Sequence, residues 1–200
     1  MDDLYKTIEK PSRETLFKDR NSKFYGYAFP VSSEADIRDL LELLKKKHHS
    51  AGHFCYAWQI GIESVRFRVN DDGEPNNSAG MPIYGQIQSF GLTNILIVSV
   101  RYFGGTKLGI GGLINAYKQS AKLAIESSII IEKTIDVLYE LNFEYELISR
   151  VMKIIRENAI SIQSQKFDID CKITIVVRKS KINKVLEIFS EFYKVQIQPL

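Results

Sequence analysis

Apolar residues recur at helical spacing at Ile37, Leu40, Leu41 and Leu44, which predicts an amphipathic helix. Ser33 and Asp36 stand three apart at its start like a capping box, and Lys45, Lys46 and Lys47 close it, where cations complement the carbonyl end of the helix dipole. Before it, Lys23 to Phe29 is rich in aromatics and bounded by Pro30, the features of a strand. After it the period changes to two. Phe54, Tyr56, Trp58 and Ile60 alternate with His53, Cys55, Ala57 and Gln59, and Val65, Phe67 and Val69 alternate with Arg66 and Arg68. Two strands are predicted, each with one face in the core. Asn70 to Gly80 is dense in Asp, Asn, Gly and Pro and reads as a loop. Pro82 suits the first turn of a short helix that Phe90-Gly91 ends. Ile95 to Val100 is apolar throughout, as a central strand covered on both faces would be. Leu113, Ala116, Tyr117, Ala121, Ala124 and Ile125 then mark the buried side of a helix, with Asn115, Lys118, Lys122 and Glu126 opposite.

The pattern resets near residues 128–134. Val137, Tyr139, Leu141, Phe143 and Tyr145 alternate as a strand, and Leu147, Ile148, Val151, Met152 and Ile155 follow helical spacing. Two strands at about 160–168 and 172–178, a helix through Ile182, Val185, Leu186, Phe189 and Phe192, and a short strand over Val195–Gln198 complete the order β-α-β-β-α-β. That order is characteristic of ferredoxin-like domains. The fold class is α+β, with a first domain over 1–131 and a second over 132–200.

Composition narrows the function classes. Two hundred residues with 44% hydrophobic content can bury a sizeable core. No apolar run of about eighteen residues is present, so no membrane span is expected. The first residues, Met-Asp-Asp-Leu-Tyr, are acidic and lack an apolar signal region. Cys55 and Cys171 form neither a CxxC motif nor a disulfide framework, which favours a reduced cytoplasm. The net charge of +3 is shared evenly: residues 1–131 hold 16 basic and 14 acidic side chains, and 132–200 hold 11 and 10. A global basic excess of the kind that grips phosphates is missing; a local patch remains open.

Five of the twelve glycines, Gly104, Gly105, Gly109, Gly111 and Gly112, fall within nine positions between the apolar strand and the following helix. Amides at such a junction can hold an anion, and close packing of the loop on the sheet explains the glycines equally well. A P-loop counted from Gly104 requires Lys at 110, which is Ile, and a dinucleotide fingerprint from Gly109 requires glycine at 114, also Ile. No nucleotide cofactor is assigned. Asp71, Asp72 and Glu74 can bind a divalent ion or serve as acid and base; the alternative is turn formation with a salt bridge to Arg101. His49 and His53 are four apart, but Ala51-Gly52 interrupts any helix between them, so no metal is assigned. Cys55 reads as a buried structural thiol. Arg101 and Lys107 are the leading binding candidates, since arginine can clamp phosphate bidentately, with structural ion pairing as the alternative.

Five ordered pieces carry a family resemblance: HFCYAW at 53–58, DDGEP at 71–75, SAGMPI at 78–83, VSVRYFGG at 98–105, and LGIGGL at 108–113 followed by Ala116-Tyr117. Together they resemble the YigZ/IMPACT family of translation regulators, in its bacterial two-domain branch. The resemblance implies a first domain like the second domain of small-subunit ribosomal protein five. It implies a ferredoxin-like second domain resembling domain five of elongation factor G. It also implies a non-enzymatic role in binding RNA or the ribosome. The anion-site candidates are then Arg101, Gly104, Gly105, Lys107, Gly109, Gly111 and Gly112. The family loop is Asp71, Asp72, Gly73, Glu74 and Pro75 with Ala79 and Gly80. The alternatives are an enzyme acting on a small phosphorylated ligand in a cleft between loops 71–80 and 104–112, or a protein-interaction module.

Overall fold

The computed structural model describes residues 3–168, 170–192 and 194–200. It is a mixed α/β structure that divides into two compact units, Tyr5–Lys133 and Thr134–Leu200, with Asp3 and Leu4 belonging to the second. The break falls after Lys133 rather than at residue 131. Asp3 goes with the second unit because Arg178 holds its carboxylate, Nη2 to Oδ1 at 2.7 Å, and because its carbonyl accepts from the Ile135 amide at 2.7 Å. No pattern along the chain signals a partnership across 175 positions.

The first unit is built on a five-stranded antiparallel sheet in the order β2-β3-β6-β4-β5. Its strands are β2 (Thr15–Asp19), β3 (Ser22–Pro30), β4 (His53–Ile60), β5 (Arg66–Asn70) and β6 (Ile95–Tyr102). A separate pair joins β1 (Leu4–Ile8) to β7 (Ile130–Thr134). Helix α1 (Glu34–Lys47) connects β3 to β4, α2 (Gly80–Ser89) connects β5 to β6, and α3 (Gly109–Glu126) follows β6.

Two cores lie on opposite faces of this sheet. Phe24, Ala28, Cys55, Ala57, Ile95 and Ile97 pack with α2 and α3. Tyr27, Phe29, Trp58, Ile60, Leu96 and Val98 pack with Ile37 and Leu44 of α1. The central strand β6 is therefore covered on both sides, although the sheet is antiparallel. β4 is buried on both faces too, where its alternation predicts one. β5 departs the other way: it is an edge strand, and Phe67 remains 52% exposed, stacked on Tyr84 at 4.3 Å between centroids. Period-two alternation does not separate a strand with two neighbours from one at an edge.

Local chemistry fixes the helices. Ser33 caps α1, accepting from the Asp36 amide while the Asp36 carboxylate accepts from the Ser33 amide, which satisfies orphan donors of the first turn. α3 lies close on the sheet through Ala116, Ala121 and Ala124. At Gly26 of β3, a Cβ would fall 2.7 Å from the Ser120 carbonyl oxygen, so only glycine lets helix and strand approach this far. Ser99 donates to Ser120 at 2.8 Å within that contact.

The second unit has the element order β8 (Asp136–Glu144), α4 (Ile148–Glu157), β9 (Ser161–Lys166), β10 (Asp170–Arg178), α5 (Ile182–Ser190) and β11 (Val195–Pro199). Its antiparallel sheet runs β11-β8-β10-β9, the split βαβ arrangement. Leu141, Ile173 and Ile175 from the sheet pack with Val151 of α4 and Phe189 of α5. The opposite face carries Glu140, Asn142, Lys172 and Gln198, joined by Asn142 to Glu140 (2.9 Å), Gln198 to Glu140 (3.1 Å) and Lys172 to Glu140 (3.6 Å).

Candidate functional site

Two loops meet the same end of the first unit's sheet, where β6 finishes. The first runs from Asn70 to Gly80. Asp71 spends both carboxylate oxygens on backbone: Oδ1 accepts from the Ala79 and Gly80 amides at 2.9 and 2.8 Å, and Oδ2 from the Asn77 amide at 2.9 Å. It thereby caps α2, whose N-cap residue Ala79 has no side-chain acceptor to offer. Asp72 accepts from the Phe54 amide at 2.6 Å, and its carbonyl lies 2.8 Å from His53 Nδ1, which ties the loop to the start of β4. The Asp71 carbonyl accepts the Cys55 thiol at 3.0 Å. Burial pushes that thiol well above its ordinary pKa, an effect the Glu74, Asp72 and Asp71 charges reinforce against a hydrogen bond with Tyr117. Cys55 is a core thiol rather than a nucleophile.

Glu74 points inward. It is 8% exposed, and its Oε1 accepts from Arg101 Nη1 and from the Tyr117 hydroxyl, each at 2.6 Å. His53 Nε2 approaches to 3.9 Å. Arg101 is 5% exposed, with its guanidinium carbon 5.5 Å from the ring centroids of both Phe24 and Phe103, within cation–π range. Its Nη2 reaches Ser22 Oγ at 3.5 Å, while Nε has no acceptor among the described residues. Arg101 is thus no surface clamp for phosphate. At the central strand's end its long side chain is carried under Phe103, and a buried cation requires a buried anion, which Glu74 supplies.

The second loop, Phe103 to Leu108, treats its glycines differently from one another. A Cβ on Gly104 would lie 2.1 Å from the carbonyl carbon of Asn21, so this glycine lets the β2–β3 turn dock, and its amide donates to Ser22 Oγ at 3.2 Å. Gly105 and Gly109 have φ of +85° and +73°, the left-handed region that favours glycine. Gly111 and Gly112 lie inside the first turn of α3. That turn has no side-chain cap and no acidic residue, so its first amides lack a side-chain acceptor, and Thr106, Lys107 and Ile110 next to it in the chain are exposed. Phe103 (55%) and Ile110 (60%) are exposed nearby, followed by Ile114 one turn on.

Of the residues singled out from sequence, Gly105, Lys107, Gly109 and Gly111 are exposed, while Gly104 and Gly112 are half-buried. The structure turns Arg101, Asp71, Asp72 and Glu74 to internal bonds. Sequence reasoning missed Ser22 and Tyr117 as partners of the buried pair. The signal for Tyr117 was available, because a tyrosine in an apolar helix stripe needs a partner for its hydroxyl. Among the described residues no group of three or more His, Cys, Asp or Glu is arranged to hold a metal ion, and no helix is long and apolar enough to cross a membrane.

Residues 20–125, which contain both loops, match the Impact N-terminal domain. The chain is 27% identical over 187 residues to the IMPACT family member YvyE of Bacillus subtilis, covering 94% of this chain and 86% of that protein. It is 32% identical over 188 residues to an IMPACT family member of Haemophilus influenzae, covering 90% and 87%. A solved structure described as a hypothetical protein shares the fold over 100% of this chain and 98% of its own, with a TM-score of 0.77 at 23% identity. With its family loop and glycine loop both inside the matched domain, the chain belongs to the IMPACT family.

Proposed function

We propose that this chain regulates translation without catalysis, by binding RNA or the ribosome through the glycine loop and the first turns of α3. Family membership supplies the direction, since the family resemblance implies translation regulation. One observation carries the choice of site: the carboxylates that an enzyme would need are occupied, whereas the N-terminal amides of α3 are uncapped beside Lys107. A helix N-terminus with a neighbouring cation suits a phosphate oxygen. Lys118, exposed on the same helix, extends the positive character.

Co-sedimentation of the purified protein with ribosomal subunits at two salt concentrations tests this. Wild type should sediment at low salt and be released at high salt. The Lys107→Gln/Lys118→Gln double variant should bind more weakly, with a shallower salt dependence. Undiminished binding by the folded double variant would remove this face from consideration. A second reading, a protein-interaction module, is favoured by the exposed Phe103, Ile110 and Ile114. Binding that is insensitive to salt but lost in Ile110→Ser would support it.

A further inference from the structure

At one end of the second unit's sheet, β10 runs on after its neighbour has stopped. It pairs with β9 only as far as Val176, which stands opposite Ser161, while β8 accompanies it through Val177 and Arg178. Where β9 is missing there is a cleft of about 340 Å³, a volume within the range of small-ligand sites. Its lining has two characters. Ile160, Val176, Val185 and Ile188 are apolar, and Lys181 and Lys184 are cationic. On α5, Lys184, Val185 and Ile188 share one stripe, with Lys181 in the turn before the helix. The cations therefore stand at the helix's start and the apolar pair follows, the whole stripe spanning about 10 Å. Arg178 is held by Asp3 at 2.7 Å, and Asp136, the acid among the lining residues, accepts from Thr134 at 3.0 Å. Lys181 and Lys184 are exposed and have no ion-pair partner among the described residues. Counting Lys181, Lys184 and Arg178 against Asp3 and Asp136 leaves an excess of one positive charge. Ala159, at the end of α4, lines the cleft at φ +49°, a position where glycine is ordinary.

We propose that this cleft binds a small aliphatic carboxylate, its head group at Lys181 and Lys184 and its chain along Val185, Ile188 and Ile160. Three observations select that class. The excess of one positive charge matches a single carboxylate rather than a phosphate dianion, and the one arginine fork, the group best shaped for phosphate, is taken by Asp3. None of the described lining residues is aromatic, so a nucleobase or other flat ring finds no stacking partner, whereas a flexible chain needs only apolar walls. Charge and apolar surface lie in sequence along one stripe of α5, the order of head and chain in such a molecule. The proposal concerns the second unit alone and is independent of the RNA-binding reading of the first.

The test is an amide-resolved NMR titration of the full chain with sodium octanoate, kept below its micelle concentration. Octanoate should give saturable shifts concentrated in 158–161, 176–178 and 181–188. Hexanoate, two methylenes shorter, should bind about 10-fold more weakly, since each buried methylene tightens binding about 3- to 4-fold. Octyltrimethylammonium, with the same chain and the opposite charge, should give no saturable shift there. The Lys181→Gln/Lys184→Gln variant should bind octanoate at least ~10-fold more weakly with its melting temperature unchanged, and the charge-preserving Lys181→Arg/Lys184→Arg variant should bind like wild type. Octanoate shifts that do not saturate, or that spread over the whole surface, would overturn the site. Equal binding by the cationic amphiphile, or by the double glutamine variant, would overturn the role of the lysines. Tighter binding of octyl phosphate than of octanoate would overturn the carboxylate assignment.

Discussion

The loop from Asn70 to Gly80 and the loop from Phe103 to Leu108 stand at the same end of one sheet, and each precedes a helix. They differ in where their polar groups go. The first turns Asp71, Asp72 and Glu74 to amides, an arginine and a tyrosine of the same unit. The second leaves the start of α3 uncapped and exposed. A motif rich in carboxylates is therefore a scaffold, and the binding surface proposed above is a motif poor in functional side chains. Residue type alone suggests the reverse, because carboxylates are the groups chemistry most often uses. What decides is whether a group's hydrogen-bonding capacity is already taken within the fold.

The sharpest way to break this comparison is at Glu74. Glu74→Ala strands the Arg101 charge in a buried site and should destabilise by about 3–5 kcal/mol, read by denaturant unfolding. The Arg101→Met/Glu74→Leu double variant should lose less than the two single variants summed, since both charges leave together. A Glu74→Ala loss below about 1 kcal/mol would mean the loop is not a scaffold.

Next comes Gly104. Adding a Cβ at 2.1 Å from the Asn21 backbone forces the hairpin tip away, so Gly104→Ala should cost about 1–3 kcal/mol. Gly105→Ala and Gly109→Ala have open space around the new atom and should cost about 1–2 kcal/mol each from positive φ alone. Equal melting of all three variants and wild type would show that the loop geometry is not set by its glycines.

Asp71→Ala removes the acceptor for three amides and uncaps α2, for about 1–2 kcal/mol. On the open side, Lys107→Ala and Ile110→Ser should change stability by less than about 0.5 kcal/mol and act on binding only. The smallest effect is chemical. Because Cys55 is buried and its pKa is pushed up, iodoacetamide should label it, as located by peptide mapping, only when denaturant opens the unit. Rapid labelling of the native protein would contradict the closed state of the first loop.

The sequence shows some of this and hides the rest for identifiable reasons. The helices and β6 follow from periodicity, because the core that orders them is made of the residues that set the period. Gly105 and Gly109 are legible as conformational glycines. Gly104 is not distinguishable from them, since its requirement comes from Asn21, more than eighty positions away. An ion pair between Arg101 and a carboxylate of the 71–80 loop is one of the readings the sequence allows, and the fold shows that the partner is Glu74, which Tyr117 also meets.

Hydrogen–deuterium exchange of the protein with and without ribosomal subunits tests the contrast between the loops most directly. Amides in 105–112 should exchange quickly in the free protein and become protected on binding. The amides of Asp72, Asn77, Ala79 and Gly80, already held by Asn70 and Asp71, should exchange slowly and unchanged in both states. Protection gained within 71–80, with 105–112 unaffected, would contradict the account.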